Sequence, residues 1–298
     1  NSIASKNNLT LDNESWRIAY REIVEQYQSG QLTTALDDAL RATEKFPFSP
    51  DLWRLLGSIS QDLNRAEVTI AAFRQALALS GDDPVNHSNL AIALHQDGQM
   101  AEAILSLRRV TELDPSDADA HYNLGVLLKE AGRFKEAIES YRKALNLNPE
   151  VAEAFNNLGI LLCEQGRLGE GIDAYKMALS VKPNYWEAFL NLGTELQKVH
   201  FASEDRSLYP CLQDLLNAEN MVAPPDVAPA ILSLLKHDPI LIAMLREPSE
   251  QLDLQTHLER ISKLDQLPLL QKLMRLCPLP DLELERIFTG TRSALLEH

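Results

Sequence analysis

Between residues 16 and 200 this chain repeats itself every 34 positions. The fragments HSNLAIALHQDGQMAEAILSLRRVTELDP, HYNLGVLLKEAGRFKEAIESYRKALNLNP and FNNLGILLCEQGRLGEGIDAYKMALSVKP begin at His87, His121 and Phe155 and superimpose without a gap. At such a period each unit is one supersecondary element. It cannot bury its apolar face alone, so it stacks on its neighbours.

With unit starts at Trp16, Pro50, Pro84, Ala118, Ala152 and Trp186, the fifteenth position of the first five units is Gly30, Asn64, Gly98, Gly132 and Gly166, which marks a turn between two helices. Before the turn stand Leu56-Gly57, Leu90-Ala91, Leu124-Gly125, Leu158-Gly159 and Leu192-Gly193; after it come Ala35, Ala103, Ala137 and Gly171. Side chains this small let paired helices approach closely. Trp53, His121, Phe155 and Phe189 at the fourth position, and Phe73, Leu107, Tyr141 and Tyr175 at the twenty-fourth, fill the space between helices. Pro47, Pro115, Pro149 and Pro183 end the second helices, so each unit reads helix, turn, helix, stop.

An aromatic, Leu-Gly, Ala, Tyr or Phe, Ala and Pro at this spacing resemble the tetratricopeptide repeat family over residues 16–200, as five full repeats plus a sixth first helix. The resemblance implies an all-α fold, a right-handed superhelical solenoid of antiparallel helix pairs. Three departures stand out. Thr69 replaces the small Ala of the second unit, Gly81 stands where Pro is expected, and the first helix, WRIAYREIVEQYQS, lacks Leu-Gly, which suits a capping repeat.

Outside the repeats, residues 1–15 read as a polar N-terminal tail, and 203–218 as a degenerate closing helix in which Tyr209 and Leu212 still fall at packing positions. From Pro224 the rhythm changes to short helices set off by Pro224-Pro225, Pro239, Pro248, Pro268, Pro278 and Pro280, so 201–295 is expected to be a compact C-terminal helical region. Its Leu252, Leu258, Ile261, Leu269, Leu273, Leu276, Leu284, Ile287 and Phe288 recur at helical spacing and are expected to pack together and against the last repeats. This region is similar to linkers in bacterial proteins whose tetratricopeptide repeats precede a methyltransferase or glycosyltransferase domain. The ending Leu296-Glu297-His298 resembles the remnant of a purification tag, and there is no initiating Met. A substrate-recruiting part of a larger transferase therefore stands as the alternative to a free-standing binding module.

The formal net charge is −15 and both parts of the chain are acidic, so nucleic acid is not the expected partner. Cys163, Cys211 and Cys277 are few and far apart with no CxxC pair, which points to a reducing, cytoplasmic setting rather than a disulfide framework or zinc cluster. The longest strongly apolar stretch, Ile240 to Leu245, is far too short to span a bilayer. No cofactor is implied. GRLGEG at Gly166 is the repeat turn, and GxxxxGK, GxSxG and HExxH are missing from the sequence. Asp114, Asp117 and Asp119 lack the glycine and terminal glutamate of a calcium loop and read as helix capping. His87 and His121 occupy the packing position of their units, and His95 faces the groove without a second metal ligand at suitable spacing.

Function is expected on the first helices, whose positions 2, 5, 6, 9, 12 and 13 face inward in this family. The sixth position gives Asn89, Asn123, Asn157 and Asn191 in four successive units, beside the apolar Val126 and Ile160 at the ninth. An amide offers one acceptor and two donor hydrogens, so it can pair with both backbone groups of an extended peptide whatever its sequence. Tyr122, Asn156, His95 and Lys129 are further inward residues expected to tune side-chain preference, among acids at Asp119, Glu130, Glu153, Glu164 and Glu187. The strings HSNLA, HYNLG, FNNLG and FLNLG resemble the repeats of O-linked N-acetylglucosamine transferase and its asparagine ladder. A carboxylate clamp for chaperone C-termini is the weaker mode, because Arg17, Arg21, Arg54 and Lys129 are too scattered to hold one terminus. The expected reading is a non-catalytic protein-binding module for an extended peptide, with homodimerisation through the C-terminal helices as a further option.

Overall fold

The computed structural model describes residues 2–203, 205–217, 223–246, 259, 262–276 and 284, with side chains described from residue 15 onward and not at 246. All regular structure among these residues is helical. The chain divides into two compact units, Asn1–Pro149 and Glu150–His298.

The first unit holds α1 (Ser2–Gln28), α2 (Leu32–Lys45), α3 (Pro50–Asp62), α4 (Ala66–Ser80), α5 (Pro84–Gln96), α6 (Met100–Leu113), α7 (Ala118–Glu130) and α8 (Phe134–Leu147). Each odd helix packs on the even helix that follows, and each even helix packs on the next first helix, α2 on α3, α4 on α5 and α6 on α7. This is the nearest-neighbour stacking that the period demands. One boundary differs from the sequence reading: α1 starts at Ser2, so residues 2–15 of the polar segment are helical and run on into the first repeat helix. No Gly or Pro interrupts residues 2–15.

The turns repeat one geometry. Gly30, Gly98, Gly132 and Gly166 have φ between 71° and 80°, and Asn64 takes the same left-handed region at 54°. The residue after each donates back across the turn, as in Gln31 N–H to Gln26 O at 2.9 Å and Arg133 N–H to Leu128 O at 2.8 Å. These bonds satisfy carbonyls that the helix end would otherwise leave orphaned. Asn is the non-glycine residue that tolerates this region best, which explains Asn64. At the opposite ends, Asp83 accepts from Val85 N–H at 3.0 Å and Asp117 from Ala120 N–H at 2.9 Å. The acidic DPSDAD segment is therefore helix-capping chemistry, with Asp114 held below the usual carboxylate range by Ser116.

Close helix pairing rests on a size exchange between the eighth and twenty-fourth positions. A Cβ on Gly57 would stand 2.6 Å from the Phe73 ring, and one on Gly125 2.7 Å from the Tyr141 ring, so each ring lies directly against backbone. Both rings are fully buried. The first unit of the repeat inverts the pair, with Ile23 facing Ala39, both buried. At the fourth position Trp53 Nε1–H donates to Pro47 O at 2.9 Å and His121 Nε2 meets Pro115 O at 3.2 Å, tying each first helix to the stop before it. Both histidines at this position serve packing: His121 is buried, and the half-buried His87 meets Asp82 at 3.2 Å.

The second unit holds α9 (Ala152–Glu164), α10 (Leu168–Val181), α11 (Trp186–Leu196), a 3-10 turn at Arg206–Leu208, α12 (Tyr209–Asn217), α13 (Pro224–Leu235), α14 (Pro239–Arg246) and α15 (Pro268–Leu276). Gly159 and Tyr175 repeat the ring-on-backbone contact at 2.7 Å. Gly171 replaces the usual Ala because a Cβ there would lie 2.2 Å from Cys163 Sγ. The closing helix begins later than 203, after the 3-10 turn, because Pro210 sits in its first turn. Prolines start α13, α14 and α15 as the spacing predicts, while Pro229 lies inside α13.

Leu212 and Leu215 of α12, Ile231 and Leu235 of α13, and Leu269 and Leu273 of α15 share one core with Leu192 and Leu196 of α11. The expected packing of Leu269, Leu273 and Leu284 against the last repeat is observed, with Leu276 partly buried on the same cluster. Leu252, Leu258, Ile261, Ile287 and Phe288, together with Cys277, Pro248, Pro278 and Pro280, lie outside the described residues. Asp238, buried at the start of α14, accepts from Ile240 N–H at 2.9 Å and Tyr209 Oη–H at 3.1 Å and pairs with Arg206 at 3.1 Å. Such pairing is what allows a carboxylate to be buried. Among the described residues no single helix is long and apolar enough to cross a membrane; α13 and α14 together reach the length but meet at a bend of 88°.

Candidate functional site

The inward positions of the first unit converge on one cleft. Ser88, Ile92, His95 and Gln96 of α5 face Asn123, Val126 and Leu127 of α7 across a space of about 220 Å³, with Ala91 and Leu107 behind. These are positions 5, 9, 12 and 13 of one repeat and 6, 9 and 10 of the next, all inward positions except the tenth. Its lining is mainly apolar, with Ser88, His95, Gln96 and Asn123 as the polar members. His95 Nε2 meets Glu130 Oε2 at 2.6 Å, a link from the twelfth position of one repeat to the thirteenth of the next.

The asparagines are not equivalent. Asn123 is exposed and Asn89 half-buried, and among the described residues neither side-chain amide has a protein hydrogen-bond partner. In the second unit Asn191 Nδ2–H donates to Asn156 Oδ1 at 3.0 Å, and Asn157 is also partnered. Asn156, expected to face a ligand, is instead buried and braces α9 against α11. A carboxamide at the fifth position of one first helix reaches the sixth position of the next, which accounts for this pairing.

Tyr122 is half-buried with its ring 5.9 Å from that of Tyr141, a tilted aromatic pair rather than an open ligand face. Lys129 is half-buried and partnered. Val126 lines the cleft, whereas Ile160 packs on the core of the second unit. Among the basic inward residues, Arg54 is engaged by Asp51 and by Asp83, the latter at 3.3 Å. The first unit also has a separate groove of about 360 Å³ between α1 and α2, lined by Ile18, Glu22, Asp38 and Arg41. It carries none of the ladder residues. The His95–Glu130 pair was missed in the sequence, although their spacing of one repeat plus one residue is the signal that finds it.

Buried titratable groups elsewhere are structural. Burial pushes the Tyr141 phenol up, and its hydroxyl lacks a partner among the described residues. Burial also raises the Cys211 thiol to about 12 and pushes the Cys163 thiol up. Lys176 near Cys211 and Lys198 near Cys163 pull the other way without offsetting burial, so neither thiol is activated as a nucleophile. Among the described residues no cluster of His, Cys, Asp or Glu has the geometry to hold a metal ion.

The tetratricopeptide repeat domain of cytochrome c-type biogenesis protein H matches residues 20–154, and a general tetratricopeptide repeat model matches residues 122–188. The helix pairs belong to the tetratricopeptide repeat family. No curated protein matches the chain. Among solved structures, the repeats are similar to MamA at 22% identity and a TM-score of 0.55, covering 57% of this chain and 93% of MamA. They are similar to YrrB, a TPR protein with an unusual peptide-binding site, at 19% identity and a TM-score of 0.53, covering 57% of this chain and 88% of YrrB. PilF of Pseudomonas aeruginosa, at 17% identity and a TM-score of 0.53, covers 76% of this chain and 94% of its own. At these identities the likeness establishes the tetratricopeptide fold.

Proposed function

We propose that this chain is a non-catalytic protein-interaction module that binds an extended peptide along its first helices, with Asn89 and Asn123 as backbone-reading residues. The observation that carries this reading is the cleft between α5 and α7. An apolar wall of Ile92, Val126 and Leu127 stands beside the exposed Asn123 amide, which has no partner among the described residues. An amide in this setting loses little by exchanging water for a peptide group and fixes the strand's register. The sequence likeness to the asparagine ladder of O-linked N-acetylglucosamine transferase supports the same use of Asn89 and Asn123. YrrB, a fold neighbour, is itself a peptide-binding protein, which adds to it.

Two hydrogen-bonding residues at about 0.5–1.5 kcal/mol each predict a 5- to 150-fold effect. The test is selection of displayed random dodecapeptides on the full chain, followed by fluorescence anisotropy of the enriched peptides against Asn89→Ala/Asn123→Ala. A loss in that range for peptides of unrelated side-chain sequence supports backbone reading. Unchanged affinity for every enriched peptide refutes it.

A further inference from the structure

The cleft has a cause in the size exchange that builds the repeats. The eighth and twenty-fourth positions pair as Ile23 with Ala39, Gly57 with Phe73, Ala91 with Leu107, Gly125 with Tyr141 and Gly159 with Tyr175. Wherever the eighth residue is Gly in these pairs, a ring lies 2.6–2.7 Å from the place a Cβ would take. Ala91 carries that Cβ, so no ring can lie there in the same way, and its partner is the smaller Leu107. The cleft opens at this repeat, with both Ala91 and Leu107 in its lining.

What is missing at this repeat is a planar six-membered ring, and the remaining walls suit one. Ile92, Val126 and Leu127 supply an apolar slot, and the space of about 220 Å³ exceeds the roughly 150 Å³ of a cavity that holds benzene. His95 of the lining meets the Glu130 carboxylate at 2.6 Å. The chain as a whole carries a net charge of −15. Both features favour a basic neighbour beside the ring.

We infer that the α5/α7 cleft is an anchor pocket for one aromatic side chain of an extended peptide, with a Lys or Arg next to that ring set against Glu130. This rests on the peptide-binding reading above and names the partner's chemistry. The ring of the partner takes the space that the chain's own rings fill in neighbouring repeats, and Asn123 on the rim holds the backbone that carries it.

The probes are N-acetyl-phenylalanine amide, N-acetyl-alanine amide, and the capped hexapeptides Ala-Ala-Phe-Lys-Ala-Ala and Ala-Ala-Ala-Lys-Ala-Ala, titrated into methyl-labelled full chain. The Phe probe is expected to shift the Ile92, Val126, Leu107 and Leu127 methyls, and the Phe hexapeptide to bind ten- to a hundredfold tighter than its Ala counterpart. The variant Ala91→Gly/Leu107→Tyr rebuilds the Gly125/Tyr141 arrangement, so it folds as the next repeat does while filling the slot. It is expected to bind both hexapeptides equally. Val126→Phe, at a half-buried position, blocks the same slot by a second route. Equal binding of the Phe and Ala peptides by the native chain, or an undiminished Phe preference in both filled variants, overturns the pocket. Phe preference that survives Asn89→Ala/Asn123→Ala supports the pocket even where the ladder fails. Weakening by that Asn pair with no Phe preference leaves the ladder and removes the pocket. Self-association abolished by Phe48→Ser would give the cleft to a second copy, since Phe48 is 85% exposed, and would equally overturn the inference.

Discussion

Replacing Gly125 by Ala tests the size exchange directly. Ala is the better helix former by about 1 kcal/mol, so propensity alone predicts stabilisation. The structure predicts the reverse. The new Cβ would stand 2.7 and 2.8 Å from two carbons of the Tyr141 ring, which is fully buried and has no exit to solvent. Overpacking of this kind costs about 1–3 kcal/mol, and a ring enclosed on all sides belongs at the upper end. The net expectation is destabilisation by about 1–2 kcal/mol. Tyr141→Leu alone opens a cavity worth about 1–3 kcal/mol, eased because the buried hydroxyl it removes had no partner. Together the two changes copy Ala91 and Leu107, so the double variant should be less destabilised than the sum of the singles by about 1–2 kcal/mol. Repeat arrays unfold unit by unit, so the readout is hydrogen exchange of the α7 and α8 amides in the full chain. Additivity within about 0.5 kcal/mol, or a stabilised Gly125→Ala, would refute the reasoning.

Four further outcomes follow from the same geometry. Gly98→Ala, at φ 78°, should cost about 1–2 kcal/mol in exchange protection at the end of α5, while Gly169→Ala, with open space around its Cβ in α10, should add about 0.5–1 kcal/mol. Gly171→Ala should lower the melting temperature through its clash with Cys163, and Cys163→Ala should restore it. Cys211, with its thiol near 12, should resist iodoacetamide at pH 8 in the folded chain and react in urea, as read by peptide mass mapping. The Asp82 carboxyl is depressed first by Arg109 and then by His87, so its contribution is present above the ordinary Asp range and is lost as pH falls through the lowered value. Arg109→Gln should move its carboxyl-carbon titration back toward that range, and an unmoved midpoint would discount the pair.

Much of the fold is legible because each unit must repeat the same contacts. Gly30, Asn64, Gly98, Gly132 and Gly166 locate the turns, and Pro50, Pro84, Pro224, Pro239 and Pro268 each open a helix, since both residue types act through their own backbone geometry. Features that depend on what a neighbour supplies were harder to read. The segment before Trp16 is polar, yet polarity does not stop a helix that lacks Gly and Pro. Asn156 sits at an inward position, but whether its amide faces a ligand or Asn191 depends on the separation of α9 and α11. For the same reason four asparagines that look identical in the alignment of units divide, among the described residues, into a pair without partners, Asn89 and Asn123, and a partnered pair, Asn157 and Asn191. Ala91 and Leu107 were visible as small and large members of their columns. Their significance appears only when the two positions are paired by size.

That pairing has an energetic consequence that separates a binding cleft from a packing accident. Filling the slot with Ala91→Gly/Leu107→Phe, the pairing that Gly57 and Phe73 already show, adds the burial of a ring in place of an isobutyl group, worth about 1–2 kcal/mol on an area basis, without the Tyr141 hydroxyl that lacks a partner among the described residues. It gives up the helix preference of Ala over Gly, about 1 kcal/mol. The variant should therefore equal the native chain in stability or exceed it by about 1 kcal/mol. Binding sites are commonly held open against better packing, so a filled variant that is at least as stable but has lost its preference for a Phe-containing peptide carries the signature of function. If the filled variant is instead less stable by more than about 1 kcal/mol, Ala91 and Leu107 are the better local packing. The cleft then needs no ligand to explain it.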